Sequence, residues 1–387
     1  MNATVSPLPD GSGKLALVLA GGGARAAYQV GFLRSLARNF PDLQFPILTG
    51  VSAGAINAAF LANSTEDFPH AVARLTELWT SLTVDQVFRT NFSALGANML
   101  RWIARLASGG VQLTPRTRAL VDTAPLRRFL HDAFGADGGP LTGIDENIRR
   151  GRLFAVGIST TSYATGQSST WVQGDGLVMW ERPGRRSRPA KLTVEHVMAS
   201  CALPLFFPAA QLENAWHGDG GLGMTAPLSP ALHLGANRMI AISTRYARSQ
   251  TEADQPTTLG YPPPATVLGV LLDTVFLDTL DYDAMNIRRI NELLREHPDI
   301  GGAGGLRPVE LLLQRPSLNL ESLAHEFETE LPRAFRFATR GLGTRQTSRA
   351  DLLATLLFEP GYIRRMIEIG EHDGEARRAE IAAFLGR

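Results

Sequence analysis

The stretch Thr49-Gly50-Val51-Ser52-Ala53-Gly54 stands between an apolar run, Phe45 to Leu48, and a helix-forming run, Ala55 to Leu61. A strand, a tight turn and a helix, with Gly-x-Ser-x-Gly at the turn, are typical of a nucleophile elbow. The two glycines leave room for a strained turn that exposes the Ser52 hydroxyl at the helix N-terminus, where free N–H groups favour negative charge. Taken alone, the pattern fits an ordinary serine-containing turn of an α/β protein equally well.

A glycine loop precedes this turn. Leu15 to Ala20 is a short, continuous apolar run of the kind found in buried parallel strands, and it ends at Gly21-Gly22-Gly23. Tyr28 to Phe40 follows with apolar residues at helical spacing. The order of strand, loop, helix, strand, turn and helix predicts an α/β sandwich with a mainly parallel sheet. Backbone N–H groups of such a loop can converge on an anion, and Arg25 either holds the loop or adds positive charge.

Nucleotide binding is the competing interpretation of the glycine loop. The dinucleotide pattern is incomplete because Ala26 occupies the third glycine position, and no Gly-Lys-Ser/Thr follows for a phosphate-binding loop. Asp42 has about the spacing of a ribose-binding carboxylate, but it lies before the second strand. Nucleotide binding is therefore the weaker interpretation.

Composition narrows the classes of function. The 387 residues carry a net charge of +1, which offers no strong field for nucleic acid. The single cysteine, Cys201, excludes a disulfide within the chain and indicates an intracellular location or one in which cysteine oxidation does not matter. The N-terminus has no signal-peptide pattern, and no apolar run reaches the length of a membrane span. We therefore predict a cytoplasmic protein, at most peripheral to a membrane, and no feature of the sequence specifies an oligomeric state.

One segment bears on membrane contact. Val87 to Ala107 places apolar residues, including Trp102, at roughly helical spacing with arginines between them. Such a basic amphipathic helix can lie in a lipid interface. The more common alternative is a helix that faces the core and keeps its arginines in water.

The chain divides into three predicted parts: a flexible N-terminus at residues 1–13, a catalytic α/β domain at 14–255 and a mostly helical region at 265–387. A Pro-, Thr- and Gly-containing stretch, Gln255 to Pro264, marks the boundary. Further strands are predicted at 152–161, 166–173, 213–217, 239–244 and 309–314, and further helices at 193–202, within 267–297 and over 351–387. The basic stretch at 182–191 is predicted to be a solvated loop, and contact of its arginines with lipid headgroups is the less favoured alternative.

A serine nucleophile needs a base and groups that hold the oxyanion. Asp219, in His217-Gly218-Asp219-Gly220-Gly221, is framed by glycines that would let its carboxylate approach another backbone closely, although such an aspartate is often only a turn residue. A Ser-His-Asp triad would instead require a late histidine, His297, His325 or His372. Each of these lies in or beside a charged segment that is predicted to be helical.

Four motifs stand in one order: Gly21-Gly22-Gly23-Ala24-Arg25, Gly50-Val51-Ser52-Ala53-Gly54, the run from Ala199 to Pro208, and Asp219-Gly220-Gly221. Together they resemble the patatin-like phospholipase family, over roughly Lys14 to Tyr246. The tail from Asp351 to Gly370 is similar to the helical extension of some bacterial members. The resemblance implies a three-layer α/β/α sandwich with a C-terminal helical segment.

The resemblance also implies a Ser-Asp dyad that hydrolyses acyl esters of phospholipids or other lipids without a metal or cofactor. By this analogy Ser52 attacks the ester carbonyl, and Asp219 accepts its proton and later activates water. The amides of Gly21, Gly22 and Gly23, with Arg25 nearby, would form the oxyanion hole. The chain departs from the family at Ala26, where a glycine is common.

His217 is a further candidate beside the dyad. It would share a strand face with Asp219, so it either tunes that carboxylate or packs at a strand end. Two other functions stay open at this level: a short-chain carboxylesterase with a Ser-His-Asp triad, and a lipid-binding protein without turnover on the same scaffold.

Overall fold

One mainly parallel sheet carries the fold. The computed structural model describes residues 14–89, 119–254, 279–302, 305–331 and 351–387, and the single positions 261, 267, 270 and 336. Its strands are β1 Lys14–Leu19, β2 Ile47–Val51, β3 Ala155–Ser162, β4 Ser168–Gly174, β5 Glu181–Arg182, β6 Arg185–Pro189, β7 Ala210–Leu212, β8 Ala215–Asp219, β9 Ala236–Ile242 and β10 Glu310–Gln314. They follow the order β10-β9-β1-β2-β3-β4-β6-β5, with β8 beside β3 and β7 beside β8. The first five strands of this order are parallel.

Helices surround this sheet. Within the described residues they are α1 Ala27–Asn39, α2 Ala53–Asn63, α3 Phe68–Ser81, α4 Val84–Val87, α5 Ala124–Phe134, α6 Thr142–Arg149, α7 Val194–Ser200, α8 Ser229–His233, α9 Gln250–Ala253, α10 Thr279–Glu296, α11 Leu320–Phe327, α12 Asp351–Leu356, α13 Pro360–Ala376 and α14 Arg378–Leu385. None of these helices is both long enough and apolar enough to cross a membrane.

The strands of the parallel half are buried on both faces. Along β1, Leu17 and Leu19 belong to a core cluster with residues of α1, α2 and α13. Ala16 and Val18 point to the other face and join a cluster with α8 and α10. Because alternate residues of a strand face opposite sides, continuous apolar strands need helices on both sides. The predicted three-layer α/β/α class is confirmed.

The edge of β3 is shared by two strands. β2 runs parallel to β3 up to the pair Val51 and Ser159. β8 runs antiparallel to β3, and its last pair joins Asp219 to Thr160, the next residue of β3. The two strands therefore occupy the same edge one after the other and point their C-terminal ends at each other. This arrangement brings the residue after β2, Ser52, next to the last residue of β8.

Several local predictions differ from the structure, and among them the strand predicted at 213–217 is β8, which begins at Ala215 and ends at Asp219 itself. β2 begins at Ile47, two residues later than predicted. Pro46 has no N–H to donate, and only its carbonyl takes part in the sheet, where it accepts from the amides of Phe154 and Ala155.

The prediction of a solvated loop at 182–191 is wrong, because β6 pairs in parallel with β4. A strand of arginines is tolerated here since the Arg188 guanidinium lies over the Trp171 ring, 5.4 Å from its centroid.

The C-terminal region is joined to this sheet. The predicted strand at 309–314 is confirmed as β10, which pairs with β9, and α12, α13 and α14 confirm helices over 351–387. α13 packs against α1 at two glycines: a Cβ on Gly370 would lie 2.0 Å from the carbonyl oxygen of Tyr28, and one on Gly31 would lie 1.9 Å from that of Ile367. Only backbones without side chains can approach so closely.

Several predictions fall largely outside the described residues. They are the flexible N-terminus at 1–13, the amphipathic segment from Val87 to Ala107 beyond Arg89, and the boundary stretch from Gln255 to Pro264 except Tyr261. The division into 14–255 and 265–387 stays a prediction. The described residues show that both parts contribute strands to one sheet.

The glycine contact between α1 and α13 can be tested with Gly370→Ala. The added methyl group would meet a backbone carbonyl that cannot rotate away, and we expect the free energy of unfolding to fall by about 2 kcal/mol, although alanine favours the helix. Urea denaturation measures the change. Gly139→Ala, where a Cβ meets no atom within 4 Å, is the matched control and should change stability little. Equal stability of the two variants would contradict the close approach.

Candidate active site

Ser52 lies on a strained turn between β2 and α2. Its φ of 54° and ψ of −133° place a non-glycine residue in a sparsely populated region. The glycines on either side make this turn sterically possible. A Cβ on Gly54 would lie 2.3 Å from the carbonyl oxygen of Leu19, and one on Gly50 would lie 2.5 Å from that of Gly54. The Gly-x-Ser-x-Gly pattern therefore adopts the strained strand–turn–helix geometry that is typical of a nucleophile elbow.

Ser200 holds the turn from the other side. Its buried hydroxyl accepts a hydrogen bond from the Ser52 N–H at 2.9 Å and donates one to the carbonyl oxygen of Ser159 at 2.7 Å. The carbonyl of Ala202, two residues on, accepts from the backbone N–H of Asp219 at 3.0 Å. The end of α7 and the residues after it thus form hydrogen bonds with the residue that follows β2, with β3 and with the last residue of β8.

The Asp219 carboxylate is almost entirely buried, with 1% of the residue exposed. Its Oδ1 accepts the backbone N–H of Gly221 at 2.8 Å. Burial raises its pKa to about 7, and hydrogen bonds from the Ser52 side chain and from Gly221 oppose that rise. The other carboxylate oxygen, Oδ2, is buried and has no hydrogen-bond partner among the described residues. A carboxylate with this pKa can accept a proton near neutral pH.

The glycine loop faces the same turn. A Cβ on Gly21 would lie 3.0 Å from the Ser52 Cβ. Gly22 and Gly23 have φ values of 154° and 58°, conformations that L side chains rarely adopt. None of the three amide N–H groups donates a hydrogen bond to another residue in the part of the chain that the structure describes. These three amides thus have no protein acceptor in the described ranges.

The Arg25 guanidinium is engaged inside the protein. It is buried, donates from Nε to the carbonyl oxygen of Gly22 at 3.3 Å and pairs through Nη1 with Glu321 at 2.8 Å. Of the two roles considered from the sequence, this geometry favours holding the loop. Its place in the oxyanion hole stays a prediction.

The candidate histidines form no described hydrogen bond with this pair of residues. His217 Nδ1 shares a hydrogen bond of 3.0 Å with the Thr160 hydroxyl, and its ring packs edge-on against Trp171. His297 follows α10, His325 lies in α11 and His372 in α13, and none of them has a hydrogen bond with Ser52 or Asp219 among the described contacts. His217 is not among the groups that shift the Asp219 pKa.

No group of three or more His, Cys, Asp or Glu side chains is placed to hold a metal ion in the described ranges.

Two polar groups that support the site, Ser200 and Thr244, were not assigned a role from the sequence. Ser200 stands out there only as a polar residue ending an apolar helix, and Thr244 only as the end of a strand. The Thr244 hydroxyl donates to the carbonyl oxygen of Gly21 at 2.7 Å.

Fold and site together define an α/β protein with a serine on a strained strand–turn–helix elbow next to a buried aspartate, with no histidine bonded to either residue among the described contacts. The family model for patatin-like phospholipases matches residues 17–232, more than half of the chain. The chain belongs to the patatin-like phospholipase family. No match was found among curated protein sequences.

Solved structures resemble the chain at low sequence identity. VipD from Legionella pneumophila is 11% identical with a TM-score of 0.39, and the match covers 94% of this chain and 66% of VipD. Human GIVD cytosolic phospholipase A2 is 11% identical with a TM-score of 0.48, over 96% of this chain and 62% of that one. ExoU of Pseudomonas aeruginosa, solved in complex with SpcU, is 16% identical with a TM-score of 0.25, over 89% and 76%. The chain thus spans less than two thirds of the length of the first two.

The buried carboxylate gives a testable effect on stability. The Asp219 pKa rises on folding from 3.8 to about 7, so the unfolded chain loses this proton first and the wild type loses stability as the pH rises between these values. An asparagine side chain at this position would stay neutral throughout. We expect the free energy of unfolding of Asp219→Asn, relative to that of the wild type, to increase from pH 4 to 7. The increase should level off above about pH 8, at roughly 4 kcal/mol over the difference at low pH.

Urea denaturation across this pH range measures the difference. Asp175→Asn, at an exposed position after β4, is the control and should follow the wild-type curve. A difference between Asp219→Asn and wild type that does not depend on pH would contradict the raised pKa.

Proposed function

We propose that this protein is a serine acyl hydrolase that cleaves ester bonds of phospholipids or related lipids. The observation that carries the proposal is the meeting of the Ser52 elbow with the buried Asp219 carboxylate at the shared edge of β3, in a chain of the patatin-like phospholipase family. The raised pKa of Asp219 supports its role as the base.

The reaction proceeds in two steps that need only protein groups and water. The Ser52 Oγ attacks the ester carbonyl carbon while Asp219 accepts the hydroxyl proton. The tetrahedral oxyanion is stabilised by the N–H groups of Gly21, Gly22 and Gly23. The C–O bond to the alcohol then breaks, Asp219 returns the proton to the leaving oxygen, and an acyl-Ser52 ester remains.

Deacylation repeats these steps with water. Asp219 takes a proton from a water molecule as its oxygen attacks the acyl carbon, and a second oxyanion forms in the glycine loop. Its collapse releases the fatty acid and returns the proton to the Ser52 Oγ. Burial serves both steps because a desolvated carboxylate is a stronger base than one in water.

A lipid substrate also suits the surroundings of the site. Tyr163 packs over Gly218 on β8 and is 49% exposed, and Trp216 on the same strand is 44% exposed. Leu205, in the segment that follows α7, is 56% exposed. Exposed apolar side chains beside a catalytic site favour contact with acyl chains or a membrane surface. Peripheral membrane contact during turnover is thus part of the proposal.

Ser52→Ala and Asp219→Asn test the chemistry directly. Each should lower fatty-acid release from phospholipid and lysophospholipid vesicles by about 10³-fold or more, because nucleophile and base act as one unit. The assay contains a chelator, which should not reduce wild-type activity. Ser64→Ala, at the opposite end of α2, is the matched control and should keep wild-type activity.

Activity of Asp219→Asn near the wild-type level, together with its loss on changing His297, His325 or His372, would support a triad esterase instead. Absence of Ser52 labelling by a fluorophosphonate probe would support a lipid-binding protein without turnover.

The pH dependence of hydrolysis follows from the same carboxylate. Asp219 must be ionised to accept the Ser52 proton, so kcat/KM should rise with pH and reach half its maximum near pH 7. The measurement is hydrolysis of a soluble short-chain ester between pH 5 and 9, with folding checked by circular dichroism. A midpoint near pH 4 would mean that the base is not a desolvated carboxylate.

A further inference from the structure

The glycine loop is held by residues that lie beyond the family-matched part of the chain, residues 17–232. The Thr244 hydroxyl donates to the carbonyl oxygen of Gly21 at 2.7 Å. Thr355, at the end of α12, lies against Gly23 so closely that a Cβ there would be 2.1 Å from its carbonyl oxygen. Two later segments of the chain thus confine the loop.

Arg25 connects the loop to a third segment. Its backbone N–H and its Nε both donate to the carbonyl oxygen of Gly22, at 3.2 and 3.3 Å. Its Nη1 pairs with Glu321 Oε1 at 2.8 Å, and its Nη2 donates to the Thr355 hydroxyl at 3.3 Å. Arg25 and Glu321 are both buried, and such a pair keeps its geometry because either charge alone would be costly.

Glu321 is itself firmly placed. It lies in the first turn of α11, where the Asn319 side chain caps the helix by accepting the N–H of Glu321 at 3.1 Å. The Tyr362 hydroxyl of α13 donates to the carbonyl oxygen of Leu320 at 3.0 Å. The second carboxylate oxygen of Glu321 lies 3.5 Å from Nη2 of Arg248, in the segment after β9.

The direction of the loop's N–H groups follows from these contacts. In a trans peptide the C=O and the next N–H point in opposite directions. Holding the Gly21 carbonyl through Thr244 therefore orients the Gly22 N–H, and holding the Gly22 carbonyl through Arg25 orients the Gly23 N–H. These are two of the donors assigned to the oxyanion.

We propose that Glu321 is a positioning residue for the oxyanion loop: it fixes the Arg25 guanidinium, which fixes the Gly22 carbonyl and so aims the Gly23 N–H. This inference rests on the proposed acyl hydrolase function and extends the catalytic unit to the C-terminal region. Glu321 touches no reacting atom.

Glu321→Gln tests this role, because it removes the charge that holds Arg25 and keeps the side-chain size. We expect kcat to fall about 10-fold with KM within about 2-fold, since a displaced oxyanion donor weakens only the transition state. The midpoint of the pH profile should not move, because Asp219 is the base.

A second measurement does not depend on turnover. Trypsin cleavage of the native protein after Arg25 should become about 10-fold faster in Glu321→Gln, because the glycine loop opens more often.

Asp373→Asn is the matched control. Asp373 is also a buried carboxylate of the C-terminal region, and it accepts from the Tyr28 hydroxyl and the Ser317 N–H at 2.8 Å each; in the described part of the chain no hydrogen bond joins it to the glycine loop. Its replacement should lower stability without changing kcat of the folded enzyme or cleavage after Arg25. If Glu321→Gln folds poorly, Thr355→Val removes a further hydrogen-bond partner of the Arg25 side chain and should act in the same direction, more weakly.

The outcomes separate the two proposals. Faster cleavage after Arg25 with lower kcat supports the positioning role. Unchanged cleavage overturns it whatever the activity, and faster cleavage with unchanged kcat overturns its catalytic part. If wild type and Ser52→Ala release fatty acid equally, the proposed function fails, and trypsin cleavage still decides whether Glu321 anchors the loop.

Discussion

The sharing of one edge of β3 by two strands is the constraint on which the site depends. A strand edge offers a single row of hydrogen-bonding groups, so β2 and β8 can both use it only if one ends where the other ends. Each strand stops at a turn with glycines, and the stops are one residue apart along β3, at Ser159 and Thr160. Distant parts of the chain are brought together by backbone pairing, which is stiffer than contact between side chains.

The same junction excludes water from the carboxylate. β3, the end of α7 and the Ser52 turn enclose Asp219, and desolvation moves its pKa to about 7. Enclosure disfavours the charged form and so opposes folding above the ordinary pKa of an aspartate. The elbow adds strain on the order of 1–3 kcal/mol at the positive φ of Ser52. Both costs fall at the residues to which we assign the chemistry, and the packed sheet around them offsets both.

The C-terminal region takes part in this packing. β10 extends the parallel sheet, α13 lies against α1 at glycine contacts, and Glu321 reaches the Arg25 side chain at the glycine loop. A buried network made by Tyr28, Gln314 and Asp373 joins α1, β10 and α13. The C-terminal region is therefore packed into the core and against the glycine loop.

The sequence by itself determined the class of fold, because apolar runs of strand length alternate with helical periods and glycines mark the turns. The Gly-x-Ser-x-Gly pattern also singled out Ser52, because turn chemistry constrains a residue's own backbone, whereas Asp219 was preferred to a late histidine through the resemblance to a family. Their mutual placement, the direction in which Arg25 points and the roles of Ser200, Thr244 and Glu321 were decided only by tertiary structure. Those contacts join residues far apart along the chain, and neither hydrophobic period nor turn chemistry carries information about a partner hundreds of residues away. The arginine-rich strand β6 shows the same limit, because its pairing with β4 overrides a composition that favours a loop.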